Sequence, residues 1–173
     1  PGSYKDNAAL SANLICSGSC LCTPASGVTA GTFSDGPGDY PNSQTCSWLI
    51  ASVMEITVRF TSFDTESGYD FVTIYRCTSA DCSTKEQVAR LSGSAVSFKA
   101  AESAYSSSTG FLQVEFVSVS SGTGAGFEAA WSVAEMGECA ACPAGTYQDA
   151  AGASACTLCE AGAKWTAGSA SCF

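Results

Sequence analysis

Three carboxylates, Asp64, Glu66 and Asp70, fall within seven consecutive positions, and eleven cysteines are spread through 173 residues. These are the side chains able to do chemistry. Paired carboxylates serve as acid and base in glycoside hydrolysis. Three acids around one β-turn more often form a solvated loop or a cation site, so catalysis is not the expectation. Histidine is absent, which removes Ser-His-Asp, Cys-His and His-metal arrangements together. The run Gly122-Thr123-Gly124 lacks the strand-to-helix setting of a phosphate cradle and reads as a hairpin turn. The chain is therefore read as non-enzymatic.

The cysteines divide into Cys16, Cys20 and Cys22 at the front, Cys46, Cys77 and Cys82 in the middle, and Cys139, Cys142, Cys156, Cys159 and Cys172 at the end. Such density fits an extracellular, disulfide-bonded protein whose small modules are stapled because they bury little core. Cys139-x2-Cys142 and Cys156-x2-Cys159 also have the spacing of a four-thiolate zinc ribbon. That alternative leaves Cys172 and the other six cysteines without a role, so disulfides are preferred. The stretch Cys142-Pro143-Ala144-Gly145-Thr146-Tyr147 resembles the opening Pro1-Gly2-Ser3-Tyr4, and each is followed by a cysteine at a comparable distance. Two copies of one repeat are expected, the first cut after its opening cysteine; one cysteine ahead of Pro1 would make the odd count even.

Sixteen acidic against seven basic residues leave a net charge of −9, which argues against nucleic acid and anionic membrane surfaces. No apolar run approaches the ~20 residues of a membrane span. An initiator Met and a signal pattern are both missing, so the chain reads as a piece of something longer.

The elements that must carry these groups are strands. Ile56, Val58 and Phe60 alternate with polar residues, as do Leu112, Val114 and Phe116, placing each set on one face. Further strands are expected at 47–51, 71–75, 96–98 and 127–132. Turns are marked by Asp35-Gly36-Pro37-Gly38-Asp39, Glu66-Ser67-Gly68 and Ser121-Gly122-Thr123-Gly124. No segment makes a convincing helix. The pattern is an all-β sandwich or jelly roll.

Cys22, Gly31-Thr32-Phe33-Ser34, Tyr40-Pro41, Cys46-Ser47-Trp48-Leu49-Ile50, Phe60-Thr61-Ser62-Phe63-Asp64, Tyr69-Asp70, Phe116-Val117-Ser118 and Gly126-Phe127, taken as a series, resemble a CUB domain. The cysteine-rich flanks resemble ephrin-receptor-like repeats, related in style to tumour-necrosis-factor-receptor modules. The resemblance implies a CUB-type jelly roll over 22–135, the end of one cysteine-rich repeat at 1–21, and an ephrin-receptor-like repeat at 136–173. It implies pairing of Cys22 with Cys46 and Cys77 with Cys82. In the final repeat Cys142 is expected with Cys156 and Cys159 with Cys172; Cys16 goes to a cysteine outside the chain, leaving Cys20 for Cys139.

CUB domains commonly hold calcium through three acids beside a tyrosine. The resemblance carries that role onto Glu66, Asp70 and the supporting Tyr40, with Val119 standing where the third acid belongs. Ser121 is the substitute oxygen, so the implied site is weak. Two functions follow. The first is a structural or assembly module of a stalk, coat or fibre, packing against copies of itself or neighbouring modules through a surface rich in Ala, Ser and Gly, with Trp165 and Phe173 as contacts. The second is protein or glycan recognition and adhesion, with the acidic loop gripping a Lys or Arg. No Asn-x-Ser/Thr acceptor occurs.

Overall fold

A computed structural model describes residues 11–20, 22–94 and 104–134, and the backbone of two short strands near the C-terminus. The chain divides into two compact units, the larger spanning Asp6–Glu135. Ten strands build that unit: β1 Ala12–Gly18, β2 Ala25–Val28, β3 Ala30–Ser34, β4 Thr45–Ser52, β5 Ile56–Asp64, β6 Phe71–Cys77, β7 Lys85–Leu91, β8 Ala104–Ser107, β9 Phe111–Val117 and β10 Gly126–Val133. They form a six-stranded sheet in the order β2-β1-β4-β9-β6-β7 and a four-stranded sheet in the order β3-β10-β5-β8. Every pairing is antiparallel. In the second unit, β11 Thr146–Tyr147 pairs with β12 Thr157–Leu158. No helix occurs among the described residues.

Alternation puts one face of each central strand into the sandwich. On β4 that face is Cys46, Trp48 and Ile50; on β9 it is Leu112, Val114 and Phe116; all six are buried. On β5 the series Ile56, Val58, Phe60 jumps to Phe63, because a register shift against β10 lets both phenylalanines face inward. Phe127 sits at the centre of the aromatic core, its ring centroid 5.4–6.3 Å from those of Trp48, Phe60, Phe116, Phe63 and Phe33. Edge and offset ring pairs of this kind add about 0.5–1.5 kcal/mol each beyond area burial.

The structure corrects three expectations. First, β1 belongs to the sandwich: Asn13, Ile15 and Ser17 stand opposite Ala51, Leu49 and Ser47 of β4. The sandwich therefore begins ahead of Cys22, inside the segment expected to end a cysteine-rich repeat. Second, that strand rearranges the cysteines. Gly18 lies opposite Cys46, so Cys20 reaches Cys46 with Cα atoms 5.5 Å apart. Cys22 turns back to Cys16 at 6.1 Å, in place of the expected Cys22–Cys46 bond, the Cys20–Cys139 bond and a Cys16 partner outside the chain. Cys77 is bonded to Cys82. Third, the Gly122-Thr123-Gly124 segment is not a hairpin, because β9 and β10 lie in different sheets; it is a crossover between them. The expected strand at 96–98, Cys139, Cys142, Cys156, Cys159, Cys172, the zinc-ribbon alternative, Trp165 and Phe173 lie outside the described residues.

Candidate functional site

Register places three connections at one end of the sandwich. Thr45, Val117 and Phe71 are aligned across the six-stranded sheet, and Asp64, Gly126 and the Glu128–Ser34 pair close the four-stranded one. The 35–44, 65–70 and 118–125 segments therefore share that end. Their backbones are tied together: Tyr40 N–H donates to Gly124 O at 3.3 Å and Ser43 N–H to Val119 O at 2.8 Å. Ser118 Oγ accepts from Gln44 N–H and donates to Pro41 O.

Tyr40 is the pivot. Its hydroxyl donates to Asp70 Oδ2 at 2.5 Å and accepts the backbone N–H of Glu66 at 2.9 Å. The other Asp70 oxygen accepts Val119 N–H at 2.7 Å, and Asp70 N–H donates to Glu66 O at 3.0 Å. Asp70 is wholly buried and Tyr40 nearly so. Burial first, then the bond to Asp70, holds the Tyr40 phenol far above its usual pKa. The phenol is thus a fixed donor to a carboxylate, with no acid–base role near neutral pH.

Glu66 completes the group differently. Its Oε2 is buried and has no hydrogen-bond partner, and it lies against Gly122, where an added Cβ would clash with the carboxylate and the backbone φ is +84°. The ion pairs among the described residues are Arg76–Glu86 and Lys85–Glu115, so neither Glu66 nor Asp70 faces a basic side chain there. Around them Tyr69 is 62% exposed and Val119 37%, an apolar rim beside two carboxylates. Buried carboxylates without a counter-charge are costly unless something neutralises them.

The structure thus brings the Tyr40 hydroxyl to the Asp70 carboxylate and to the Glu66 backbone N–H. Ser121 is exposed and makes no described contact with them. Val119 contributes only its backbone N–H, to Asp70. No group of three or more acidic or metal-binding side chains occurs among the described residues. The oxygen donors present are two carboxylates: that of Asp70, with both oxygens hydrogen-bonded, and that of Glu66, whose orphaned Oε2 lies against Gly122. Only a weak site would result, since calcium takes six to eight oxygens. Asp64 stays apart, exposed, with Oδ2 accepting Ala125 N–H at 3.4 Å.

A further acid was missed by the sequence. Asp35, read only as part of a turn, is 6% exposed. Its Oδ1 accepts Phe127 N–H at 2.6 Å, while Oδ2 has no partner and abuts Gly126. Burial pushes its pKa above the usual carboxylate range, against the opposing backbone bond from Phe127. Nothing in an Asp-Gly turn distinguishes a buried carboxylate from a solvated one.

Comparison with known proteins agrees with this architecture. Residues 16–131 match the family model of the CUB domain. Residues 131–172 match the one described as tyrosine-protein kinase ephrin type A/B receptor-like. The putative protein tag-53 of Caenorhabditis elegans is 45% identical over 49 residues, 27% of this chain and 4% of that protein. The full extracellular region of zebrafish Gpr126/Adgrg6 is 27% identical, with a TM-score of 0.50 over 62% of this chain and 14% of that one. The CUB1-EGF-CUB2 domains of rat MASP-1 share the fold at 20% identity, with a TM-score of 0.53 over 69% of this chain and 48% of theirs. The chain thus spans less than half the length of each of these proteins.

Proposed function

The chain belongs to the CUB domain family, whose members serve as protein-interaction modules, and on that footing we propose that it is a non-enzymatic, extracellular recognition module. Its working end is the Glu66–Asp70 loop with Tyr40, and what it takes is a cation: calcium, or the Lys or Arg of a partner protein. The observation that carries this reading is the buried, unpartnered Glu66 Oε2 beside a wholly buried Asp70. Asp70 and Glu66 would hold the ion, with Ser121 and water supplying neutral oxygens. Bound calcium would neutralise the two carboxylates and present their outer face to a partner's basic side chain. Tyr40 orients Asp70, and exposed Tyr69 and Val119 offer apolar contact to that side chain's stem. Calorimetric titration of calcium into this chain and into Glu66→Gln tests it; equal heats from both would remove the site.

A second reading, assembly into a stalk, coat or fibre with copies of itself or neighbouring modules, is favoured by the ephrin-receptor-like match directly after the CUB domain. Under that reading the cysteine-rich stretch is a spacer between repeated modules. Sedimentation of the whole chain discriminates: a single species at every concentration, with or without calcium, removes self-assembly.

A further inference from the structure

Each sheet of the larger unit ends in two edge strands: β2 and β7 in one, β3 and β8 in the other. An edge strand offers unpaired N–H and C=O groups to any passing chain, and proteins blunt it with charge, proline, a bulge or a covering group. Three of these four are blunted. β7 carries Lys85, Glu86 and Arg90 and pairs with β6 through a register shift. β2 meets β1 irregularly, at the Ala12/Asn13 step. The Arg76 guanidinium takes the Ser106 carbonyl of β8 at 3.0 Å. β3, Ala30-Gly31-Thr32-Phe33-Ser34, has no charge, no proline and an unbroken register against β10.

Among the described residues that edge is also uncovered. Beyond the ladder to β10, residues 30–34 form no backbone–backbone hydrogen bond there. Cys22 and Thr23 face Thr32, Phe33 and Ser34 across a cavity of about 250 Å³ rather than pairing with them. The strand matches itself as well. A two-fold axis through Thr32, its middle residue, sets two copies antiparallel. Thr32 then stands opposite Thr32, Ala30 opposite Ser34, and the inward-facing Phe33 opposite Gly31, which has no side chain of its own. Thr–Thr pairs across antiparallel strands are favourable. Charge permits the match too. The chain carries −9, so two copies repel unless they meet where both are neutral. Glu128, the acid behind β3, would share its row with Ser34 and with the second copy's Ala30 and Ser132, so no acid faces another across the axis.

We propose that β3 pairs with β3 of a second copy of this chain, joining the two four-stranded sheets edge to edge into one continuous sheet. This rests on the assembly reading and names the strand that carries it. A second copy is favoured over an unrelated peptide because the register is self-complementary and the neutral rows continue across the axis. A five-residue edge covers less than the roughly 800 Å² per partner of a standard interface, so the pairing is weak and depends on concentration.

The test is sedimentation of the whole chain up to about 1 mM, with backbone amide exchange followed over the same range. The mass should rise toward that of a dimer, and the β3 amides should become protected as it does, while those of β7 stay unchanged. Thr32→Lys, at an exposed position, sets two lysines opposite each other and should weaken dimerisation at least about fivefold. Thr32→Val, which keeps a β-branched side chain, should leave it within about twofold. The parent's exchange pattern decides the matter independently of either variant. A chain that stays single throughout would remove the pairing and the assembly reading together. Self-association that Thr32→Lys does not weaken, or that leaves the β3 amides exchanging freely, would overturn the pairing and leave assembly standing. Addition of a pentapeptide of alternating threonine and valine to a dilute sample tests the other occupant: protection of β3 in a chain that stays monomeric would overturn self-pairing and make the edge a peptide site.

Discussion

The Tyr40 hydroxyl donates to Asp70 Oδ2 at 2.5 Å while accepting the Glu66 backbone N–H at 2.9 Å, so one phenol oxygen ties the Asp70 carboxylate to the Glu66 backbone. Tyr40→Phe keeps the ring that meets Phe116 edge-on at 4.9 Å between centroids but strips both bonds. A buried carboxylate oxygen and a backbone N–H are then left short of a partner. Hydrogen bonds to charged groups contribute about 1.5–3 kcal/mol, and stranding buried partners costs a similar amount. Urea unfolding should show a loss of roughly 2–3 kcal/mol with an unchanged slope. A loss under about 0.5 kcal/mol would mean that water replaces the phenol and that Tyr40 positions nothing.

Glu66→Gln separates stability from function at the same end. The native carboxylate carries a buried, unpartnered oxygen, so without divalent ions the neutral amide should be more stable, by about 1 kcal/mol. With calcium the order should reverse. A Kd of about 1 mM, in the range of extracellular modules, and roughly 10 mM calcium would stabilise the parent by about 1.4 kcal/mol, a rise of a few degrees in melting temperature. Glu66→Gln should not respond. Calorimetric scans with chelator and with calcium check both halves, and a parent melting at one temperature in both would contradict the calcium reading.

Asp35 makes stability depend on pH in an unusual direction. Its pKa is raised in the folded protein above the ordinary value of 3.8, so the folded state holds the proton more tightly than the unfolded chain does. The stabilisation from this group is complete below the unfolded pKa and is lost as pH rises through the folded one. The window therefore opens near 3.8 and extends upward from there. The charged neighbours on the packed strands are Asp64, opposite Gly126, and Glu128, beside Phe127; both are exposed acids. Asp35→Asn, which keeps an acceptor for Phe127 N–H, should be more stable than the parent at pH 7 and equal to it near pH 4. Parallel unfolding curves of the two proteins across that range would show that Asp35 does not titrate there.

Periodicity made the central strands readable and left the edges obscure. Ile56, Val58 and Phe60, like Leu112, Val114 and Phe116, alternate because they face a core on one side only. By contrast, β7, Lys-Glu-Gln-Val-Ala-Arg-Leu, is an edge strand that buries only Leu91, and β1 carries exposed Ile15 beside buried Leu14, so neither announces itself. The Cys22–Cys46 pairing implied by the family resemblance did not allow for β1, which brings Cys20 to Cys46. Glu66, Asp70 and Tyr40 were legible because their spacing follows a family series. Asp35 was not, since its burial depends on the Phe127 backbone 92 positions away.

The cysteine pairing is open to direct test. Alignment of β1 with β4 puts Cys20 beside Cys46 and leaves Cys22 to Cys16. In the chain-entropy account the Cys20–Cys46 loop, with a separation of 26, is worth about 3–4 kcal/mol, and the Cys16–Cys22 loop, with a separation of 6, about 2. Cys20→Ala with Cys46→Ala should therefore destabilise the domain more than Cys16→Ala with Cys22→Ala. Because Cys46 is buried and Cys22 lies nearer the surface, graded reduction should open the Cys16–Cys22 bond first. Mass mapping of partly reduced, alkylated protein reads both the pairing and the order. A peptide joining Cys22 to Cys46 would show instead that Cys16 and Cys20 are bonded elsewhere and that β1 does not rely on sulphur to stay in the sheet.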